Sequence, residues 1–201
     1  KYENINTFRF LKNSIKKRYI YSIFEWIVNK LKKKLNFIFF SVMKANKAII
    51  QKSGLFFQLD ESTHTAKIIN SKNTDSDIII PTSINHESHE YFITSIGKDS
   101  FANNKTIKTI HFENDSKLIK IEQDSFNGSS IEIVQIPSNV SELEEGWCRH
   151  TWKLNKLIIS KENHNFSYLD ENQQIILGKT SKNKENFDTI IFASRNIKRT
   201  K

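Results

Sequence analysis

The sequence predicts a solenoid, a stack of similar units that each contribute one short parallel β-strand. Two observations carry this. The hexapeptide Ile96-Gly-Lys-Asp-Ser-Phe101 returns as Ile121-Glu-Gln-Asp-Ser-Phe126, offset by 25 residues. Each copy is followed by an apolar triplet of form L-x-x-L-x-L: Ile107, Ile110 and Phe112, then Ile131, Val134 and Ile136. A third triplet, Leu154, Leu157 and Ile159, and a fourth, Phe187, Ile190 and Phe192, keep that spacing. The first three start 24 and 23 residues apart, and the fourth comes 33 residues after the third.

The physical reading is direct. One such unit cannot bury its own apolar residues, so neighbours stack and bury them together. The last two residues of a triplet are two positions apart, so they share one face of a strand and point inward. A turn carries one large apolar side chain, Phe101, Phe126 or Trp147, that plugs the core from the convex side. A further apolar pair follows each of the first two triplets, Leu118 with Ile121 and Val140 with Leu143. The extra residues before the fourth triplet fit an inserted hairpin, Phe166–Leu169 and Ile175–Leu177, turning at 170–172. A period of 23–25 residues with this triplet lies in the leucine-rich-repeat range.

Upstream of the repeats, Leu55–Leu59 and Thr65–Ile69 flank polar residues 60–64 and read as a hairpin. Ile78–Ile80 then runs into Pro81, and Tyr91–Ile93 leads to Ile96-Gly97. Three regions follow. Residues 1–52 are a basic helical segment, 53–95 a β-rich N-terminal cap, and 96–201 the repeats with a hairpin insert near 166–178. The convex side is read as turns or short helix. The end at Lys201 falls where the pattern would open another unit, so the repeat array reads as truncated there.

Charge supports this division. Residues 1–52 carry a net +11, while the remainder of the +9 chain sums to −2. Phe8, Leu11, Ile15 and Tyr19 fall at helical spacing, as do Ile20, Ile23, Phe24, Ile27, Leu31 and Leu35. Neither apolar run, Tyr19–Val28 nor Leu35–Met43, is long enough to span a membrane. A basic amphipathic helix packs on a neighbouring domain, lies on an anionic membrane surface or, less favoured here, contacts nucleic acid. Met43 is the only methionine, so residues 1–42 are read as an upstream extension that need not belong to the native domain.

Composition excludes several classes. At 37% hydrophobic and 26% charged, with 5 Gly and 2 Pro, the chain is globular and not collagen-like. Cys148 is the only cysteine, which rules out an intramolecular disulfide. His86 and His89 are spaced by three rather than four, in a stretch read as a solvated loop, so they do not form a helical zinc motif. Cys148 next to Trp147 reads as a buried structural thiol, and Glu142, Glu144 and Glu145 as a solvated face. The glycines are isolated and make no phosphate loop. No catalytic residue, metal ligand, cofactor or small-molecule substrate is predicted.

The repeat resembles that of the BspA-like leucine-rich repeat surface antigens, roughly I-G-x-x-A-F-x-x-C-x-x-L-x-x-I-x-I-P-x-x-V. Ile96-Gly97, Phe101, Ile107, Ile110, Ile136-Pro137 and Val140 match it. The stretch from Val140 through Leu157, with Asn165–Leu169, looks most like the protist branch. The resemblance covers about Leu55 to Lys201. Ser stands for Ala before Phe101 and Phe126, and Asn104 and Ser129 or Ser130 stand at the Cys position. It implies a non-enzymatic, displayed or secreted protein that binds a host or microbial protein partner. A cytoplasmic scaffold whose basic helix docks on membrane or nucleic acid is the alternative. Sequons at Asn104, Asn114, Asn127, Asn139 and Asn165 suit a secreted chain.

Solenoids bind along the concave sheet face. If the last two triplet residues point inward, two columns point outward. They are Thr109, Ile133, Lys156 and Thr189, and His111, Gln135, Ile158 and Ile191. Within them, Ile133, Ile158 and Ile191 are expected to form an apolar strip.

Overall fold

Alternating apolar and polar residues open the repeat-bearing unit, and they fold as the alternation demands. β1 (Ile49–Lys52), β2 (Leu55–Asp60) and β3 (Thr65–Ser71) pair antiparallel in sequence order. Leu55, Phe57 and Leu59 on β2 and Ala66 and Ile68 on β3 are buried, while the residues between them are not. The computed structural model describes residues 25–35, 48–180, 184–195 and 197. The chain divides into two units, Lys1–Lys47 and Ala48–Lys201. In the first unit, residues 25–35 form a helix, α1. The helical reading of residues 1–24 and 36–47 lies outside the described residues. At its other end that reading is corrected: residues 49–52 are strand, because their backbone pairs with Leu55–Gln58 across the Ser53-Gly54 turn.

β4 (Asp77–Ile80) leaves the first sheet and starts a second one. β5 (Ser83–His86) and β6 (His89–Ile96) form a hairpin around Glu87 and Ser88, both at positive φ. His86 and His89 therefore sit opposite each other at a tight two-residue turn rather than in a loop. The repeats then add β7 (Thr109–Phe112), β8 (Lys120–Ile121), β9 (Ile133–Ile136), β10 (Glu142–Leu143) and β11 (Lys156–Ile159). These strands alternate between two ladders. One is a four-stranded parallel sheet in the order β11-β9-β7-β4. The other is the parallel run β3-β6-β8-β10.

The parallel pairing predicted for the first three triplets is thus present in β7, β9 and β11, and the array begins one strand earlier, at β4. The opposite side of the solenoid is also better ordered than the sequence suggested. The apolar pairs Leu118/Ile121 and Val140/Leu143 run into the two-residue strands β8 and β10, and turns rather than a short helix join them among the described residues.

The core between the ladders is continuous. Ile107, Ile110, Ile131, Val134, Leu154 and Leu157 are buried from one side, and Ile96, Leu118, Ile121 and Val140 from the other. Phe101, Phe126 and Trp147 stack along the convex turns, with ring centroids 5.3 Å apart for the first pair and 5.8 Å for the second. Each is a large buried aromatic, so truncating one costs about 3–5 kcal/mol. Gly97 is needed where it stands, because a Cβ there would lie 2.7 Å from the Ile68 carbonyl oxygen. The Gly97 amide donates to that same oxygen, also at 2.7 Å.

The fourth triplet does not continue the parallel sheet. β12 (Ser167–Tyr168), β13 (Ile175–Gly178) and β14 (Thr189–Ala193) form a separate antiparallel sheet in that order. The register between β13 and β14 shifts at Ile176/Leu177, which leaves Ile191 as the extra residue of a bulge. Ile190, expected inside, is 64% exposed. Ile191, expected outside, packs on the core over Gly178, where a Cβ would meet its Cγ1 at 2.6 Å.

Tyr168 explains why the parallel sheet stops at β11. The amides of Lys156 and Ser160 donate toward β9, so the groups of Leu157 and Ile159 point the other way. The Tyr168 hydroxyl accepts from the Ile159 amide and donates to the Leu157 carbonyl, both at 2.9 Å. One phenol thereby occupies the position where the next strand would pair.

Candidate partner-binding face

The outward face of the four-stranded sheet is built by strand register. Asp77 pairs with Thr109, Thr109 with Ile133, and Ile133 with Lys156. Ile79 pairs with His111 and Gln135 with Ile158. The side chains of β4, β7, β9 and β11 alternate, with Ile78, Ile80, Ile110, Phe112, Val134, Ile136 and Leu157 turned inward and buried. The residues between them form the two outward columns. Six of the eight residues expected on this face are on it: Thr109, His111, Ile133, Gln135, Lys156 and Ile158. Thr189 and Ile191 are not, because β14 belongs to the antiparallel sheet.

Exposure across the face is uneven. Lys156 is exposed and His111, Ile133, Gln135 and Ile158 are half-buried, while Thr109 is buried. The most exposed apolar member is Ile79, at 67%. Sequence reasoning missed Ile79 and Asp77. A signal was present: Ile78-Ile-Ile80-Pro81 repeats the pattern of Val134-Gln-Ile136-Pro137. It was hidden because the β5–β6 hairpin lengthens that first unit. The apolar strip on the face is therefore Ile79, Ile133 and Ile158.

Gln135 has a job inside the fold. The β7–β9 ladder is paired only at Thr109/Ile133 and Ile110/Val134. Beyond that point the Phe112 amide donates to the Gln135 side-chain carbonyl oxygen at 3.0 Å. The carboxamide bridges strands that have drifted apart, so Gln135 is fixed rather than free to reach a partner.

Electrostatics grade the face from end to end. At the start of the strands, the Ser76 hydroxyl, followed by Thr109, holds the Asp77 carboxyl below the ordinary carboxylate range, so it stays ionised. Past the ends of the strands, Glu113, Asp115 and Glu162 line a hollow of about 290 Å³ together with Gln135 and Ser160. These carboxylates give that end of the face a negative rim.

The residues considered for chemistry sit elsewhere. Cys148 is half-buried against the core, and burial pushes its thiol up to about 11. A thiol so raised carries little thiolate at neutral pH. Glu142 and Glu144 are not merely solvated: both face Lys120, and Glu144 also accepts the Gln123 amide at 2.7 Å. Among the described residues no group of three or more His, Cys, Asp or Glu is placed to hold a metal ion.

Stacked parallel strands, inward triplets and convex aromatics define a leucine-rich-repeat solenoid. The chain belongs to the family of BspA type leucine rich repeat regions, which matches residues 76–198 in six copies. That match begins at the residue before β4, in keeping with the strand order. Among solved structures the chain is similar to the pneumococcal vaccine antigen PcpA, at 18% identity over 59% of this chain and 39% of that one, with a TM-score of 0.40. It is also similar to a leucine-rich repeat protein from Bacteroides capillosus, at 17% identity over 56% and 65% of the two chains, with a TM-score of 0.36. A leucine-rich repeat protein from T. pallidum is similar at 12% identity over 55% and 71%, with a TM-score of 0.28. The chain spans less than two thirds of the length of the first two. No curated protein matches the sequence.

Proposed function

We propose that the protein is a non-catalytic binding module, displayed or secreted, that takes a protein partner on the outward face of its parallel sheet. The observation that carries this reading is the open face itself. Ile79 stands out from it, Ile133 and Ile158 continue the apolar strip, and no described element of the unit Ala48–Lys201 covers them. Exposed apolar strips with polar margins are where soluble proteins meet partners. His111 and Lys156 supply polar contacts beside the strip, and Thr109 and Gln135 shape its floor. The test is affinity capture from host-surface and microbial-surface protein fractions with the full chain. A protein retained by the wild type and lost on combined Ile79→Asp, His111→Asp and Ile158→Asp supports the reading. Equal capture by the folded variant overturns it.

A second reading rests on α1. Trp26, Ile27, Leu31 and Leu35 are exposed, and Lys30, Lys32, Lys33 and Lys34 accompany them. An apolar stripe with a lysine cluster suits an anionic membrane surface. No helix among the described residues is long and apolar enough to cross a membrane. Co-sedimentation of the full chain with phosphatidylserine vesicles checks this reading. Binding that falls with salt and with Trp26→Ala supports it, and no binding at low salt removes it.

A further inference from the structure

The two edges of the four-stranded sheet are treated differently. At β11 the outward backbone groups are occupied by the Tyr168 hydroxyl. At β4 the Ser76 and Ile80 carbonyls accept from β7, so the amides and carbonyls of Asp77 and Ile79 point away from the sheet. They have no hydrogen-bond partner among the described residues. An uncapped edge of this kind is a template for a further strand.

The edge also opens into a cavity. A pocket of about 420 Å³ runs beside β4, with Asp77, Ile78 and Ile79 forming one wall. Leu55, Phe57 and Ile84 contribute apolar lining, and the Ser53 turn and Asn73 close the opposite side. Asn73 is held there by its side-chain amide, which donates to the Ser53 carbonyl at 3.2 Å. Asp75, Asp77 and Glu113 bring three carboxylates to the lining against the single cation of Lys52.

We infer that the free edge of β4 is a strand-addition site for an extended segment of a partner protein, one carrying an apolar side chain between basic residues. The backbone of Asp77 and Ile79 supplies the pairing, the pocket takes the alternate side chain, and the acidic lining selects lysine or arginine beside it. Two paired residues make a short ladder, so the pocket contributes much of the selectivity. The site is the sheet's edge, not its outward face, and it does not depend on that face binding anything.

The test uses the folded full chain against a random heptapeptide phage library. Enriched peptides are expected to show an apolar residue flanked by Lys or Arg. A synthetic copy of the leading peptide is then measured by fluorescence polarisation. Methylating its pairing amides is expected to weaken binding by about tenfold or more. Ile79→Pro removes the outward amide without breaking a ladder bond, since proline is tolerated on an edge strand with that side facing solvent, and is expected to do the same, whereas Ile79→Ala, which changes the side chain and keeps the amide, is expected to weaken binding less. Ile119→Asp, on the other ladder, is expected to leave binding intact. No enrichment, enrichment of acidic peptides, or binding indifferent to peptide methylation overturns the proposal.

Discussion

Two serines at equivalent positions show how much a single residue depends on its neighbours in the stack. Ser125 is buried, and its hydroxyl is within hydrogen-bond reach of the Glu122 and Gly97 carbonyls at 2.5 and 3.0 Å. Ser100 occupies the same place one repeat earlier, is just as buried, and its hydroxyl has no partner among the described residues. Leaving a buried polar group unpaired costs more than replacing it with an apolar one. Ser125→Ala is therefore expected to lose about 1 kcal/mol of stability in urea unfolding. Ser100→Ala is expected to be neutral or stabilising in the same measurement. The sequence shows two identical D-S-F motifs and cannot tell these serines apart, since Ser125 reaches a carbonyl 28 residues upstream and Ser100 reaches none among the described residues.

At the scale of elements, the central strands were legible because one simple rule governs them. The inward pairs Ile110/Phe112, Val134/Ile136 and Leu157/Ile159 hold the two-residue alternation without interruption, and those strands pair as read. Legibility failed where a local device breaks the rule. The bulge at Ile191 turns Ile190 out and Ile191 in while Phe192 stays against the core, and nothing in the spacing of Phe187, Ile190 and Phe192 announces it. The Tyr168 plug is equally silent in sequence, because its partners Leu157 and Ile159 are defined only once strand direction is known. Tyr168→Phe keeps the ring and removes both bonds. Its Ile159 amide is expected to exchange faster with solvent than in the wild type, while the Val134 amide in the middle of the sheet is unchanged. Unaltered exchange at Ile159 would show that the phenol is not what seals the edge. Asn163 plays a similar sealing part at the next turn, donating to the Pro137 and Val140 carbonyls at 2.7 and 3.0 Å. It also accepts from the Asn165 and Phe166 amides. The Pro137 and Val140 carbonyls keep a second donor, the Val140 amide and the Asn165 side chain, so Asn163→Leu leaves the Asn165 and Phe166 amides unpaired and is expected to cost about 1–3 kcal/mol in thermal or urea unfolding.

Across the whole molecule, charge runs along the second ladder as a row of pairs that cross repeats. Lys67 meets Glu122, and Lys120 meets both Glu142 and Glu144. The Lys120 ammonium, then the Gln123 amide, holds the Glu144 carboxyl below its ordinary value of 4.5. Glu144 in turn raises Lys120 above 10.5. A lowered carboxyl contributes stability above its ordinary value and loses it as pH falls through the folded one. A raised ammonium contributes below its ordinary value and loses it as pH rises through the folded one. The pair therefore supports the fold between these limits and fades on both sides. Glu144→Gln is expected to lower the unfolding midpoint at pH 7 and to make no difference at strongly acid pH. An acid limb of identical shape in both proteins would contradict this. The opposite ladder presents the face proposed to bind. Photo-crosslinking tests it most directly. A benzoylphenylalanine is placed at position 111, at 158 or at 119 of the full chain, and each protein is irradiated with the captured partner. Crosslinks at 111 and 158 with none at 119 are predicted. Crosslinks at 119, on the ladder of paired charges, with none at 111 and 158 would contradict the account.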